Sequence, residues 1–396
     1  METSAAFTGL RCTDCGERFD AETATHRCPD CGAILDPTYD LDAVDIERAD
    51  LESRRFDGIA RYAELFPFPR ERLVSMDEGG TPLVDAPSFA AELGVERVLI
   101  KDEGRNPTGS FKDRGAALAV TAAVEHGAET VALPTAGNAG QAASAYAARA
   151  GLDSQVFVPS RATFDNKAMI NVHGGEMTVV EGRLSDAGAA FADAMADEDW
   201  YSVATFETPY RHEGKKTMYY EIAEQCDWES PDHVFYPTGG GVGLVGMHKA
   251  AQEMRELGWI DDGPAFHAAQ SSGCAPIVEA YEDGRAEHEP WEHPDTICGG
   301  IEVSDPGASR LVLDAVRESG GTAVATPDDE ILEAAVTIAQ EEGIEMGATC
   351  SAAASGALEL ADRGAFDGDE TVVLVNTATG NKEADVLRSH LMSKGI

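Results

Sequence analysis

Two cysteine pairs, Cys12-x-x-Cys15 and Cys28-x-x-Cys31, stand twelve residues apart near the start of the chain. A CxxC pair on a tight knuckle turns both thiolates toward one ion, and Gly16 and Gly32 follow the pairs where such a turn needs them. Four sulfurs close a tetrahedral zinc site that has no open position, so the expected role of Cys12, Cys15, Cys28 and Cys31 is structural. Two redox dithiols are the alternative, but no strand–helix–strand pattern surrounds the pairs. His26 is a spare ligand. Cys226, Cys274, Cys298 and Cys350 have no ligand spacing and read as small buried side chains.

Four further segments carry residues suited to chemistry. In Lys101-Asp-Glu-Gly-Arg-Asn-Pro-Thr-Gly-Ser110-Phe-Lys112-Asp-Arg114 a strand ends, a Pro-Gly turn follows, and Lys112 enters an alanine-rich helix. A helix N-terminus and desolvation both lower an amine's pKa, as a Schiff-base lysine requires, although Lys112 taken alone reads as a surface lysine. Thr135-Ala-Gly137-Asn138-Ala-Gly140-Gln141 opens another alanine-rich helix and offers the Asn138 amide; a plain strand–helix turn explains it equally well. Pro237-Thr-Gly239-Gly240-Gly241-Val-Gly243 places four glycines in five residues at a helix start, a nest of N–H groups suited to phosphate. Asn376-Thr377-Ala-Thr379-Gly380 follows an apolar run and puts a hydroxyl at a strand end, with Thr377 or, shifted by two, Thr379 in that place.

The elements that must hold these residues follow from periodicity. Apolar runs at 97–101, 130–133, 155–158, 177–180, 233–236, 265–270 and 371–375 read as buried strands. Helical periodicity covers 114–126, 141–150, 184–197, 244–257 and 328–342. Repeated alternation predicts an α/β fold with mainly parallel sheets, whose ligands bind at the carboxyl ends of strands.

Composition sets the surroundings. Against 71 acidic residues stand 30 basic ones, a net charge of −41. Only 8 of the basic residues are lysine. Such a surface repels nucleic acid and anionic membrane. The acids are spread along the chain instead of concentrated in a tail, the pattern expected of a protein that works at high salt. No 18-residue apolar run exists to span a membrane. The segment METSAAFTGLRC lacks the basic start and apolar core of a secretory leader, so a cytoplasmic chain is expected.

In this order, the four segments resemble the pyridoxal-phosphate (PLP) dependent fold-type II enzymes, and within them the threonine synthase family. The likeness runs from Glu78-Gly-Gly-Thr-Pro-Leu83 to Lys382; NPTGSFKDRG is its most specific stretch, and Pro209-Tyr-Arg211-His-Glu213-Gly-Lys-Lys-Thr217 is similar to the family's PxRxEGxKT. The resemblance implies two α/β lobes, the larger from 39–106 and 206–396 and the smaller from 107–205, plus a zinc ribbon over 1–38. It implies that Lys112 carries PLP as a Schiff base, that Asn138 meets the ring hydroxyl, that Gly239, Gly240, Gly241 and Gly243 bind the phosphate, and that Thr377 faces the ring nitrogen. Arg211 matches the arginine that grips a substrate phosphate, and Ser110 and Thr135 are further substrate contacts. PLP, structural Zn2+, an amino-acid substrate and a homodimer complete the expectation. The implied reaction turns O-phosphohomoserine and water into threonine and phosphate.

Three places depart from the family pattern. Thr205-Phe206 replaces an Asn-Ser pair, Ala139 replaces a threonine, and Ala348-Thr349-Cys350-Ser351 keeps only the serine of Glu-Pro-Ala-Ser. All three fall where substrate or ring edge would sit. A threonine or serine dehydratase, a diaminopropionate ammonia-lyase or a cysteate-synthase-like enzyme is therefore the competing reading. His173, His212 and His248 show no partner in sequence.

The charge pattern makes one prediction. In concentrated KCl the protein keeps its circular-dichroism spectrum and its activity; on dialysis into low-salt buffer both are lost. Full stability without salt overturns the high-salt reading.

Overall fold

The computed structural model describes residues 1–395. The chain forms two compact units: one of Met1–Gly80 with Lys112–Thr217, the other of Thr81–Phe111 with Met218 onward. The boundaries expected for the smaller lobe, 107 and 205, compare with Lys112 and Thr217 here. The ribbon, expected as a separate domain over 1–38, shares a unit with the Lys112 helix. Its Leu10, Cys12, Cys28 and Leu35 belong to the same buried cluster as Leu118, Val131, Tyr146 and Val156.

In the first unit, strands Glu176–Val180, Asp153–Pro159, Thr130–Pro134 and Tyr201–Ser202 lie in that order as a parallel sheet. The ribbon is a three-stranded antiparallel sheet in which Phe7–Cys12 lies between Arg18–Phe19 and Leu35–Tyr39. Helices Lys112–Glu125 and Asn138–Ala150 bury Ala116, Ala117, Ala119, Ala122, Ala142, Ala143, Ala145 and Ala147. Such small side chains let helices pack close to one another and to a sheet.

In the second unit the order is Ala323–Thr326, Ala265–Ser271, His233–Pro237, Thr371–Asn376, Arg97–Asp102, Leu83–Asp85. Only the last pairing is antiparallel. The central strands read Val-Phe-Tyr and Val-Val-Leu-Val because both faces are buried, as a parallel sheet demands. The seven strands expected from the sequence are all present, most of them longer by a residue or two. Leu83–Asp85, Tyr201–Ser202 and Ala323–Thr326 are added by pairing partners, being too short to register as apolar runs. Among the described residues no helix is long and apolar enough to cross a membrane.

A buried cation ties the second unit together. Lys101 is fully buried, and its ammonium donates to Thr81 O, Glu221 Oε2 and Gln225 Oε1, each at 2.8 Å. A buried charge that loses its partner is strongly destabilising. Lys101→Met is therefore expected to lower unfolding stability by about 3–5 kcal/mol, with much of the loss recovered in K101M/E221L. Denaturant titration at high salt measures both; an unchanged midpoint for K101M refutes this account.

Candidate active site and metal centre

Lys112 is placed by the backbone before it. The residues from Gly109 to Phe111 run antiparallel to the loop after strand Thr371–Asn376: Thr379 N donates to Gly109 O at 3.1 Å, Ser110 bridges Ala378, and Phe111 N donates to Thr377 O at 2.9 Å. Upstream, Asn106 Nδ2 donates to Glu103 O and Oε2 at 2.9 Å, and Asn376 Nδ2 donates to Asp102 Oδ1 at 2.9 Å. Helix Lys112–Glu125 therefore begins one residue beyond a fixed strand-like turn. Ser110 is fully buried within that turn.

Arg211 lies in the first turn of helix Tyr210–Gln225. This helix crosses the Lys112 helix with no room for a side chain at the contact. A Cβ on Gly115 would lie 2.8 Å from Arg211 O, and one on Gly214 would lie 2.0 Å from Arg114 O. The crossing sets the Arg211 backbone beside Gly115, which lies about one helical turn beyond Lys112. Its guanidinium is buried and donates through Nη1 to Val203 O at 2.9 Å. Glu213, two residues on, takes Lys216 Nζ at 2.7 Å and the Tyr39 hydroxyl at 2.5 Å.

Thr135 and Asn138 share the loop after strand Thr130–Pro134. Thr135 Oγ1 accepts from Gly137 N at 3.0 Å and shapes the turn. Asn138 opens its helix, and its Oδ1 is buried with no hydrogen-bond partner in the protein. A buried acceptor left without a donor is costly, which marks it for a group the chain does not supply. Ala139 beside it is half-buried. Glu78, in the same unit, is fully buried; desolvation pushes its carboxyl up to about 7, while Met76 N and the Tyr146 hydroxyl hold it at 2.9 and 2.8 Å.

The glycine loop and Thr377 follow adjacent parallel strands, His233–Pro237 and Thr371–Asn376, at their carboxyl ends. Gly241, at φ +73°, caps helix Val242–Glu256, and a Cβ there would come within 2.2 Å of Val312. Cβ atoms on Gly239 and Gly243 would meet Val303 at 2.9 Å and the Tyr236 hydroxyl at 2.4 Å. The bare backbone at a helix N-terminus is thus required by packing as well as suited to an anion. Thr377 is buried, with Oγ1 3.2 Å from Cys350 Sγ. Burial pushes that thiol up to about 12, so it stays neutral. Thr379, the alternative to Thr377, packs against Gly104 and Gly109 instead. Ala348 is buried and accepts weakly from Cys298 Sγ; Thr349 donates to Glu383 through both N and Oγ1.

The four ribbon sulfurs gather within 4.8 Å of one another, with Cys12–Cys31 at 3.5 Å and Cys15–Cys28 at 3.7 Å. Tetrahedral Zn–S bonds of about 2.3 Å call for sulfurs about 3.8 Å apart, so the set fits zinc. The two knuckles match: Gly16 N and Gly32 N donate to Cys12 O and Cys28 O, and both glycines have positive φ.

Each donor set, taken within its own unit, has the chemistry expected of it: N–H groups for a phosphate, an orphan acceptor for a ring hydroxyl, and a neutral hydroxyl–thiol pair for an unprotonated ring nitrogen. Sequence reasoning had no signal for the Gly115–Gly214 crossing or for Cys350 beside Thr377, which are non-local contacts.

The family model "Pyridoxal-phosphate dependent enzyme" matches residues 74–378. The threonine synthase of Methanosarcina acetivorans is 35% identical over 93% of this chain and 90% of its own length. That of Methanocaldococcus jannaschii is 34% identical over 95% and 93%. Among solved structures, the processed threonine deaminase isoform 2 of Solanum lycopersicum has a TM-score of 0.67 at 19% identity, covering 78% of this chain and 87% of that one. Maize serine racemase has a TM-score of 0.66 at 18% identity, covering 80% and 94%. These structures share the fold.

Two outcomes are expected. Native mass spectrometry finds one zinc ion per chain, lost in Cys28→Ser; a metal-free wild-type chain excludes the site. Gly241→Ala, which must adopt positive φ at a cost of about 1–2 kcal/mol and press on Val312, loses bound cofactor absorbance at limiting PLP. Retention of cofactor by G241A rules out the loop as its phosphate cradle.

Proposed function

The chain belongs to the threonine synthase family of pyridoxal-phosphate dependent enzymes, and on that premise we propose that it converts O-phosphohomoserine and water into threonine and phosphate. When bound, PLP supplies an electron sink for the charge left on a carbon whose proton is removed. The residues that would hold it are Lys112 at its aldehyde, Asn138 at its ring hydroxyl, Gly239, Gly240, Gly241 and Gly243 at its phosphate, and Thr377 at its ring nitrogen. A neutral hydroxyl there, next to a neutral thiol, leaves the nitrogen unprotonated and tempers the sink.

Lys112 Nζ, once the substrate amine has taken its place, is the base that removes the proton at the α carbon. Arg211 holds the substrate phosphate before and after it leaves the γ carbon, as a guanidinium fork is suited to do. Ser110 and Thr135 orient the substrate's polar groups, and Thr135 keeps its hydroxyl proton available because it accepts from Gly137 N. The observation that supports the reading most is the Gly115–Gly214 crossing, which sets the Arg211 backbone beside Gly115, three residues along the helix from Lys112. An anion-binding side chain carried on the helix that crosses the Lys112 helix serves a phosphorylated substrate and has no use in threonine dehydration. The structural zinc ion in the ribbon, a homodimer and a cytoplasmic location belong to the same reading.

Two measurements test it, both in concentrated KCl with added PLP. Borohydride reduction followed by peptide mass spectrometry should leave a pyridoxyl group on Lys112; an unmodified Lys112 peptide from PLP-replete protein ends the assignment. A substrate panel should then release phosphate from O-phosphohomoserine with threonine formed. Ammonia release from threonine or serine alone, or turnover of phosphoserine with sulfite, moves the chain to one of the competing activities.

A further inference from the structure

We propose that the four-cysteine ribbon is a positioning device for Arg211, so that affinity for a phosphorylated ligand depends on ribbon residues that never touch it. The inference rests on the reading of Arg211 as the phosphate ligand.

The ribbon grips the chain between Tyr201 and Glu213 at several points, and Arg211 lies within that stretch. From the last ribbon strand, Leu35–Tyr39, Asp36 Oδ1 pairs with His212 Nε2 at 2.8 Å, and the Tyr39 hydroxyl donates to Glu213 Oε2 at 2.5 Å. Lys216 Nζ sits 4.4 Å from the centre of the Tyr39 ring and joins the same carboxylate at 2.7 Å. From the second knuckle, Arg27 donates through Nε and Nη2 to Glu207 Oε1 at 3.2 and 3.0 Å. The Tyr201 hydroxyl donates to Thr25 O at 3.4 Å, and His26 packs on the Tyr201 ring at 4.6 Å. His212 and Glu213 directly follow Arg211 and are buried, so their side chains cannot shift without moving the helix turn that bears it. Val203, whose carbonyl accepts from Arg211 Nη1, lies inside the gripped segment.

The metal site is joined to the grip by short stretches of chain. Arg27 directly precedes Cys28, and Asp36 directly follows Leu35, the strand partner of Cys12. Holding the four sulfurs on one ion therefore fixes both ends of the clamp. The segment also carries stored strain. Phe206, one of the two residues that depart from the family's Asn-Ser pair, is buried with φ +59° and stacks on His212 at 5.9 Å. A bulky residue in the left-handed region persists only where its surroundings hold it. Here the ring that holds it is the one that Asp36 orients.

The test uses PLP-loaded, zinc-loaded protein in concentrated KCl. D36N/Y39F and R27E are compared with R211K and with the charge-swapped R27E/E207R. KM for O-phosphohomoserine, kcat, inhibition by inorganic phosphate, zinc content, cofactor absorbance and melting temperature are read for each. R211K is expected to lose phosphate inhibition. D36N/Y39F and R27E are expected to weaken KM and phosphate inhibition about tenfold through misplacement of the guanidinium. Their kcat, zinc content and cofactor absorbance should remain unchanged, the signature of lost uniform binding. R27E/E207R should regain the affinity. Phosphate inhibition unchanged in D36N/Y39F and R27E but lost in R211K overturns the clamp and leaves the Arg211 reading intact. A fall in melting temperature with no change in KM also overturns it, reducing the ribbon to a structural support. Full phosphate inhibition in R211K removes the Arg211 reading itself.

Discussion

Two helices cross so closely that neither can carry a Cβ at the contact, and the surroundings of Lys112 depend on that crossing. With Gly115 and Gly214 in place, Arg114 O and Arg211 O come within reach of the opposite backbone. Any larger side chain at either position would push the helices apart and move Lys112 relative to Arg211. The close approach has an electrostatic consequence. Arg114, Glu213, Lys215 and Lys216 are all fully buried around it. Charges removed from water persist only when hydrogen-bonded or paired. Arg114 Nη1 reaches Thr217 Oγ1 at 2.8 Å, and Lys216 Nζ reaches Leu65 O at 2.9 Å as well as Glu213. The polar network keeps the crossing in one register, which a contact between bare backbones alone would not do.

In the second unit the corresponding constraint comes from parallel pairing. Strands His233–Pro237 and Thr371–Asn376 are neighbours, so the glycine loop and Thr377 emerge side by side without further design. Gln270 on the next strand adds the finer placement. Its Nε2 donates to Thr238 O at 3.0 Å while its Oε1 accepts from Ile277 N and Val278 N. The entry to the glycine loop is thereby tied to a second helix start. Lys101, on the strand at the opposite flank of Thr371–Asn376, is held by the same logic of a charge whose every donor finds an acceptor.

Much of this was legible in the sequence, and what was not has a physical reason. Buried parallel strands are continuous apolar runs, so 233–236 and 371–375 stood out and their following loops could be searched for chemistry. Alanine-rich helices were equally visible. Helix Tyr210–Gln225 was not, because its sequence YRHEGKKTMYYEIAEQ is polar yet mostly buried, and amphipathic periodicity fails where both faces are covered and the charges pair internally. His212 looked unassigned for the same reason: its partner, Asp36, lies far away in sequence and is brought to it only by the fold. Cys350 likewise read as a generic buried thiol until strand order set Thr377 beside it. The cysteine spacing, by contrast, is a local pattern whose geometry the knuckles reproduce, and it needed no tertiary information.

The distribution of charge connects the surface to the site. Of the 8 lysines, Lys101, Lys215 and Lys216 are fully buried, and Arg61, Arg114 and Arg211 are buried too. Glu78, Asp102, Glu103, Asp113, Glu213, Glu221 and Glu253 are buried as well, so the interior charges nearly cancel and the exterior carries close to the full net charge of −41. A phosphorylated amino acid approaching such a surface is repelled over about 10 Å at 0.1 M salt but over only about 3 Å at 1 M. Salt then acts on this protein twice. It relieves the self-repulsion of the folded chain, and it lowers the barrier an anionic substrate meets on the way in. Screening reaches the buried Arg211 guanidinium far less than the surface, so, with Arg211 as the proposed phosphate ligand, its attraction would outlast the repulsion at the surface. On the proposed reading, that asymmetry would let an acidic protein use an anionic substrate, and it would require Arg211 to stay buried and firmly placed.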